Sequence, residues 1–212
     1  MRALVIGATG ATGKEVVKQL LVDDRFTEVV AFVRRKSFSP HPKLSEIQVD
    51  FEKLEAYAAH IYGDVAFSCL GTTLKDAGSK EAQWRVDHDY QLLFAQLCQE
   101  HEVRHFILLS AIGVDPNSAI FYNKMKGTLE MEVKALHFNQ LSIVQPSLIL
   151  RPGSNRMGEV IAGKVLGFFN SIGLFKRYAG TSTEKLAEVL IAETNTTQPG
   201  VRTLTAEEYL KK

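Results

Sequence analysis

Ser110, Tyr122 and Lys126 are the residues whose types and spacing invite chemistry. A hydroxyl, a phenol and an ammonium brought together can orient a carbonyl, protonate its oxygen and stabilise the phenolate left behind. Tyr122 and Lys126 stand four positions apart in Phe121-Tyr122-Asn123-Lys124-Met125-Lys126-Gly127, so on a helix they share a face one turn apart. Ser110 ends the apolar run Phe106-Ile107-Leu108-Leu109, which reads as a buried strand. With 6 tyrosines in the chain, a Tyr-x-x-x-Lys pair also arises by chance, and its position after Ser110 is what gives it weight.

Such a triad needs an element that delivers a reactant to it, and the start of the chain supplies one. Gly7-Ala8-Thr9-Gly10-Ala11-Thr12-Gly13 joins the apolar run Ala3-Leu4-Val5-Ile6 to a segment in which Val16, Val17, Leu20 and Leu21 recur at helical spacing. Glycines spaced three apart allow a tight turn, a close approach to a pyrophosphate and close helix packing, while the helix N-terminus offers free N–H groups to the anion. Gly7, Thr9, Gly10, Ala11, Thr12 and Gly13 are therefore the expected dinucleotide cradle. A plain strand-to-helix turn has the same pattern, and the flanks decide between the two.

Val29-Val30-Ala31-Phe32-Val33 completes a β-α-β unit and exits at Arg34-Arg35. A carboxylate about 20 residues past the glycines would bind a ribose 2′-hydroxyl, whereas arginine accommodates a 2′-phosphate. Arg34, with Arg35 beside it, argues for NADPH, with NAD the weaker candidate; two solvated arginines ending a strand are the alternative. Asp50 and Phe51 follow a weak strand at Ile47-Gln48-Val49, where Asp50 serves either as an adenine contact or as a helix cap. The run from Asp64 to Leu70 reads as a fourth strand. It ends at Gly71-Thr72-Thr73, which places Leu70, Gly71 and Thr72 on the opposite side of the crevice from the glycine turn.

A chain of 212 residues with 45% hydrophobic content can bury one core, and a net charge of +1 gives no reason to expect nucleic acid as a partner. Cys69 and Cys98 have no CxxC spacing, so packed thiols are expected, and the histidines show no metal-ligand pattern; no metal is expected. The short first apolar run does not fit a signal peptide, and no stretch approaches the roughly 20 residues that span a bilayer. Together with the reduced thiols, this points to the cytoplasm. The segment from Lys80 to Glu100 reads as one long helix, Leu141-Ser142-Ile143-Val144 as a strand, 183–190 as a helix and 201–205 as a short last strand.

GATGATG after the first strand, the strand-ending Ser110 and Tyr122-x-x-x-Lys126 resemble the short-chain dehydrogenase/reductases. Cys69-Leu70-Gly71-Thr72-Thr73, Arg85-Val86-Asp87-His88-Asp89-Tyr90 and Phe106-Ile107-Leu108-Leu109-Ser110 resemble the atypical Tat-interacting-protein branch of that family, over nearly the whole chain. The resemblance implies an α/β Rossmann-type fold: a doubly wound, mostly parallel sheet with helices on both faces, as a single NAD(P)-binding domain over residues 1–212. It implies NADPH binding, with Ser110, Tyr122 and Lys126 as the triad, Tyr122 and Lys126 also touching the cofactor, and Pro146-Ser147 near the nicotinamide carboxamide.

Two functions are compatible with these residues. One is an NADPH-dependent oxidoreductase that reduces a small carbonyl compound or quinone by hydride transfer. The other is an NADPH-binding sensor that controls a protein partner without turnover. Residues 151–212 are expected to form the substrate-side wall and the closing elements. The apolar stretch 161–175 reads as core, lid, homodimer interface or, less favoured, a peripheral membrane patch. The chain is expected to be a monomer or homodimer acting on a small molecule.

Overall fold

A computed structural model of the chain describes residues 1–150 and 180–211. Its centre is a seven-stranded sheet of β1 (Arg2–Ile6), β2 (Glu28–Val33), β3 (Leu44–Gln48), β4 (Val65–Ser68), β5 (His105–Leu109), β6 (Gln140–Gln145) and β9 (Gly200–Thr205), in the order β3-β2-β1-β4-β5-β6-β9. Every neighbouring pair is parallel. Two short strands, β7 (Ile149–Leu150) and β8 (Thr181–Ser182), pair separately.

A parallel sheet buried on both faces needs strands that are apolar at consecutive positions, and β1 shows why. Ala3 and Val5 join the core on one face, with Val16, Val17 and Leu20 of α1 (Ala11–Val22) and Leu186 and Leu190 of α6 (Thr183–Ala192). Leu4 and Ile6 join the other core, with Phe94 and Cys98 of α4 (Tyr90–Glu100) and Leu129 and Val133 of α5 (Phe121–Lys134). The doubly wound reading therefore stands, and the sheet is wholly parallel among the described residues. Residues 151–179 of the expected substrate-side wall, including the whole apolar stretch 161–175, lie outside the described residues.

The segment expected as one helix from Lys80 to Glu100 is divided. After the short α2 (Leu74–Ala77), α3 (Lys80–Trp84) runs into a π turn over Arg85–Asp89 and then into α4. The Tyr90 N–H reaches back five residues to the Arg85 carbonyl, and Gln91 Nε2 donates to the Asp87 carbonyl at 2.8 Å. Such single π turns widen a helix locally and recur at functional sites. Here the consequence is a polar stripe of Gln83, Asp87 and Gln91, all buried, facing the end of β4.

Candidate functional site

The sheet order reverses at β1 and β4: from β1 the chain winds toward β2 and β3, and from β4 toward β5 and β6. At such a switch point the carboxyl ends of the central strands leave a crevice. A cavity of about 460 Å³ opens there, lined by Gly7, Thr9, Gly10, Phe32, Val33, Arg34, Phe51, Leu70, Gly71, Thr72 and Tyr90, among others. A second cavity of about 150 Å³ adjoins it, lined by Gly10, Ala11, Thr12, Asp87, Ser110, Tyr122, Lys126 and Ile149, among others. Gly10, Cys69, Leu70, Gly71 and Thr72 line both, so the two are one crevice with a wide and a narrow end.

The three glycines of the first turn have different duties. Gly7 takes φ +73°, and a Cβ there would fall 2.3 Å from the Cys69 carbonyl carbon. A Cβ on Gly13 would fall 2.1 Å from the Gly7 carbonyl oxygen, which is the close helix-to-strand approach the spacing predicts. Gly10 is different: its Cβ would meet only the Gly7 oxygen, at 3.2 Å, and Gly10 lines both parts of the crevice. Gly10 is also the N-cap of α1, which has no side-chain cap and no acidic residue in its first turn, so among the described residues no carboxylate satisfies the helix N-terminus at the crevice. This turn fits a dinucleotide pyrophosphate.

At the wide end, Phe51 and Tyr90 stack at 5.5 Å between ring centroids. The Tyr90 hydroxyl donates to Glu52 Oε1 at 2.6 Å, and burial followed by that carboxylate pushes the phenol up to about 12. Arg34 is exposed and lines this end, where a 2′-phosphate on an adenosine ribose would find it. Arg35 is exposed and is not among the lining residues. Asp50 takes the capping alternative: its carboxylate accepts from the Glu52 N–H at 3.0 Å and starts a run of 3-10 turns over Phe51–His60, and it too stands outside the lining set.

At the narrow end the fold brings Ser110, Tyr122 and Lys126 together around one small cavity. The Ser110 N–H bonds the Val144 carbonyl at 2.8 Å, which anchors the residue at the end of β5. Its Oγ is buried and has no hydrogen-bond partner among the described residues. Buried hydroxyls are rarely left so, and one aimed into a cavity fits a carbonyl oxygen to be oriented there. The loop between β5 and α5 is clamped onto the helix that carries the other two. Asn123 Nδ2 donates to the Gly113 carbonyl at 3.0 Å, the Asp115 N–H donates to the Asn123 carbonyl at 3.1 Å, and a Cβ on Gly127 would fall 2.4 Å from the Asp115 carbonyl carbon. Lys126 is 3% exposed, whereas Tyr122 is 38% exposed at the cavity mouth. Pro146 is buried and its carbonyl accepts from the Ile112 N–H at 2.9 Å; neither it nor Ser147 is among the lining residues, whose member from this strand exit is Ile149.

Asp87, which the sequence places within the expected Lys80–Glu100 helix and assigns no role in the site, belongs to it. It is 1% exposed, accepts from the Thr72 N–H at 2.8 Å through Oδ2, and its Oδ1 lies 3.8 Å from Lys126 Nζ. Burial raises the Asp87 carboxyl, opposed by Lys126, and burial lowers the Lys126 ammonium, opposed first by Asp87. The signal that could have found it is the i, i+4, i+8 spacing of Gln83, Asp87 and Gln91, three polar residues along a helix that must pack on the sheet. Cys69, by contrast, is the packed thiol expected: burial pushes it up to about 12. Among the described residues no cluster of candidate metal ligands forms.

With this geometry in place, the comparisons with known proteins decide the family. A family model described as NAD(P)H-binding matches residues 7–196. The chain belongs to the NAD(P)H-binding family. Within it, the chain is 39% identical over 168 residues to the protein HTATIP2 of Rattus norvegicus, covering 77% of this chain and 69% of that one. It is 34% identical over 175 residues to the mitochondrial protein FMP52 of Eremothecium gossypii, covering 82% and 75%. These matches place it, within that family, among the relatives of HTATIP2 and FMP52.

Among solved structures, MoeE5 in complex with UDP-glucuronic acid and NAD superposes with a TM-score of 0.73 at 16% identity, covering 96% of this chain and 75% of that one. The human epimerase family protein SDR39U1 with NADPH gives 0.61 at 17%, covering 97% and 74%. These share the fold, one holding NAD and the other NADPH.

The relatives also correct one expectation. FMP52 proteins of several fungi carry the name mitochondrial, which overturns the assignment to the cytoplasm. Unpaired thiols and the lack of a secretory pattern separate secreted from non-secreted chains and do not discriminate among compartments inside the cell. Among the described residues no helix is long and apolar enough to cross a membrane.

Proposed function

We propose that this NAD(P)H-binding protein is an NADPH-dependent reductase of a small carbonyl compound or quinone. The observation that carries the proposal is the Ser110 hydroxyl, buried without a partner among the described residues in the same narrow cavity as Tyr122 and Lys126, at the end of a crevice that begins at the glycine turn. NADPH, when bound, supplies the hydride.

The protein's own residues do the rest. Gly7, Gly10 and Gly13 shape a cradle for the pyrophosphate, and the α1 N-terminus favours its charge. Arg34 recognises the 2′-phosphate, whose double charge suits a guanidinium. Ser110 Oγ donates to the substrate carbonyl oxygen and orients it. The Tyr122 hydroxyl gives its proton to that oxygen as the alcohol forms. The Lys126 ammonium stabilises the resulting phenolate by charge and donates to the ribose hydroxyls beside the nicotinamide. Tyr122, exposed at the mouth of the cavity, regains its proton from solvent.

NADPH oxidation followed against a panel of aldehydes, ketones and quinones tests the proposal, with wild type and Tyr122→Phe compared side by side. Turnover by wild type that falls at least about 100-fold in Tyr122→Phe supports it. Equal turnover in both removes Tyr122 from the chemistry.

A further inference from the structure

The narrow cavity holds a charged group that the triad does not account for. Asp87 reaches it from the π turn, on the opposite wall from Lys126, and its two oxygens face different elements. One accepts from the Thr72 N–H in the loop after β4 at 2.8 Å, and the other lies 3.8 Å from Lys126 Nζ on α5. The same loop is held a second time by Gln83 Nε2, 3.4 Å from the Thr72 carbonyl. Below it, Ser68 Oγ at the end of β4 donates to Gln91 Oε1 at 2.8 Å. The π turn thus presents a buried carboxylate to a buried ammonium, while Gln83 holds the loop that lines both halves of the crevice and Gln91 holds the end of β4.

We propose that Asp87 is the positioning residue of this site: it is the counter-ion that fixes the Lys126 ammonium and joins it to the loop Leu70-Gly71-Thr72 on the dinucleotide side. The assignment rests on the proposed role of Lys126 at the dinucleotide. An ammonium buried to this degree keeps its charge only with a partner. The titratable groups around it are Asp87 from the π turn, Glu130 one turn on along α5 and the Cys69 thiol after β4, with Tyr122 in the same cavity. Glu130 is already engaged, accepting from Gln145 Nε2 at 2.8 Å and paired with Lys134 at 3.5 Å. The Cys69 thiol is protonated through the neutral range, since burial pushes it up to about 12. Asp87 is therefore the carboxylate that serves Lys126. A consequence is that Lys126 does not act on Tyr122 as a lone cation, because the adjacent carboxylate offsets part of its field.

The test is a double-mutant cycle of Asp87→Asn and Lys126→Met, read by thermal melting and by NADPH affinity between pH 7 and 10. Asparagine keeps an oxygen for the Thr72 N–H and removes only the charge, so loop geometry is retained. Asp87→Asn is expected to lower the melting midpoint by about 10 °C, because it strands a buried ammonium, and the double variant to recover at least half of that loss. NADPH affinity in wild type weakens where Lys126 loses its proton. In Asp87→Asn that step is expected to move at least about one pH unit toward acid, and in the double variant to vanish.

Additive melting shifts together with an unmoved pH step overturn the counter-ion role and leave the proposed function standing. Coupled melting shifts with NADPH affinity unchanged in Lys126→Met support the counter-ion role and overturn the dinucleotide role of Lys126.

Discussion

The two ends of the crevice are built from different materials. The glycine turn is backbone: Gly7 and Gly13 are fixed by contacts that leave no room for a side chain, and Gly10 faces outward with space before it. The triad end is side chain: a hydroxyl without a partner, a phenol at the mouth and a buried ammonium opposite a buried carboxylate. A backbone cradle is ready before any ligand arrives, because the strand and helix that shape it are held by the core. A cavity of buried charges depends on pairing, and small changes in one partner alter the others. On the proposed function, binding is therefore the robust property of this molecule and turnover the sensitive one.

Breaking the cradle has the largest expected effect. Gly13→Val drives side-chain carbon into the Gly7 carbonyl and is expected to cost roughly 3 kcal/mol or more, lowering the melting midpoint and abolishing dinucleotide binding together. If Gly13→Val melts like wild type, the tight packing of the turn is wrong.

Next in size is Lys126→Ala, expected to reduce turnover by about 100-fold or more while weakening NADPH only about tenfold. A loss confined to affinity would make Lys126 a binding residue alone. Smaller again is Arg34→Ala, expected to weaken NADPH about tenfold and leave NADH unchanged, read by titration with both nucleotides. Equal losses for the two would remove the 2′-phosphate role.

A pH effect on stability comes from neither end of the crevice and sharpens the contrast by locating it elsewhere. His105 lies at the start of β5, away from the crevice, and burial, followed by Arg104, lowers its imidazole to about 4. Its Nε2 lies 3.0 Å from Ser142 Oγ, which donates to Glu193 Oε2 at 2.9 Å. A histidine kept neutral in the folded state makes the unfolded chain the better proton acceptor, so its contribution is complete above about 6.5 and declines as pH falls from there to about 4. Melting of wild type is expected to fall over that window, and His105→Gln to flatten the decline. An unchanged slope in that variant would assign the acid sensitivity to other groups.

How legible these parts were in the sequence follows from how local they are. The glycine turn, its flanking strand and helix, Arg34 at the exit of β2, and the Tyr122/Lys126 pair are each set by residues within a few positions of one another, so spacing sufficed. Ser110 was legible because a strand's apolar run ends visibly at a polar residue. Asp87 was not, because its partners Thr72 and Lys126 lie far away in sequence and meet only once the sheet order is known. The π turn that aims it looks in sequence like uninterrupted helix, because no glycine or proline marks it and it differs from an α-turn in reaching back five residues, as the Tyr90 N–H does to the Arg85 carbonyl. Asp50 had two readings of equal local merit, and the capping bond to Glu52 decided for one. The parallel pairing of β9 with β6 is likewise a property of the return path of the chain and not of the strand's own residues.

The division between a backbone cradle and a side-chain reaction end is tested most directly by calorimetric titration of NADPH into wild type, Gly10→Ala and Tyr122→Phe. Gly10→Ala adds a methyl group where the turn meets the pyrophosphate, in a position with ordinary helix-start dihedral angles, φ −74° and ψ 170°, and its Cβ would lie 3.2 Å from the Gly7 carbonyl oxygen, so a melting curve of the variant accompanies the titration. The predicted result is at least about tenfold weaker binding in Gly10→Ala and wild-type affinity in Tyr122→Phe. Unchanged affinity in Gly10→Ala, or loss of binding in Tyr122→Phe, would contradict it.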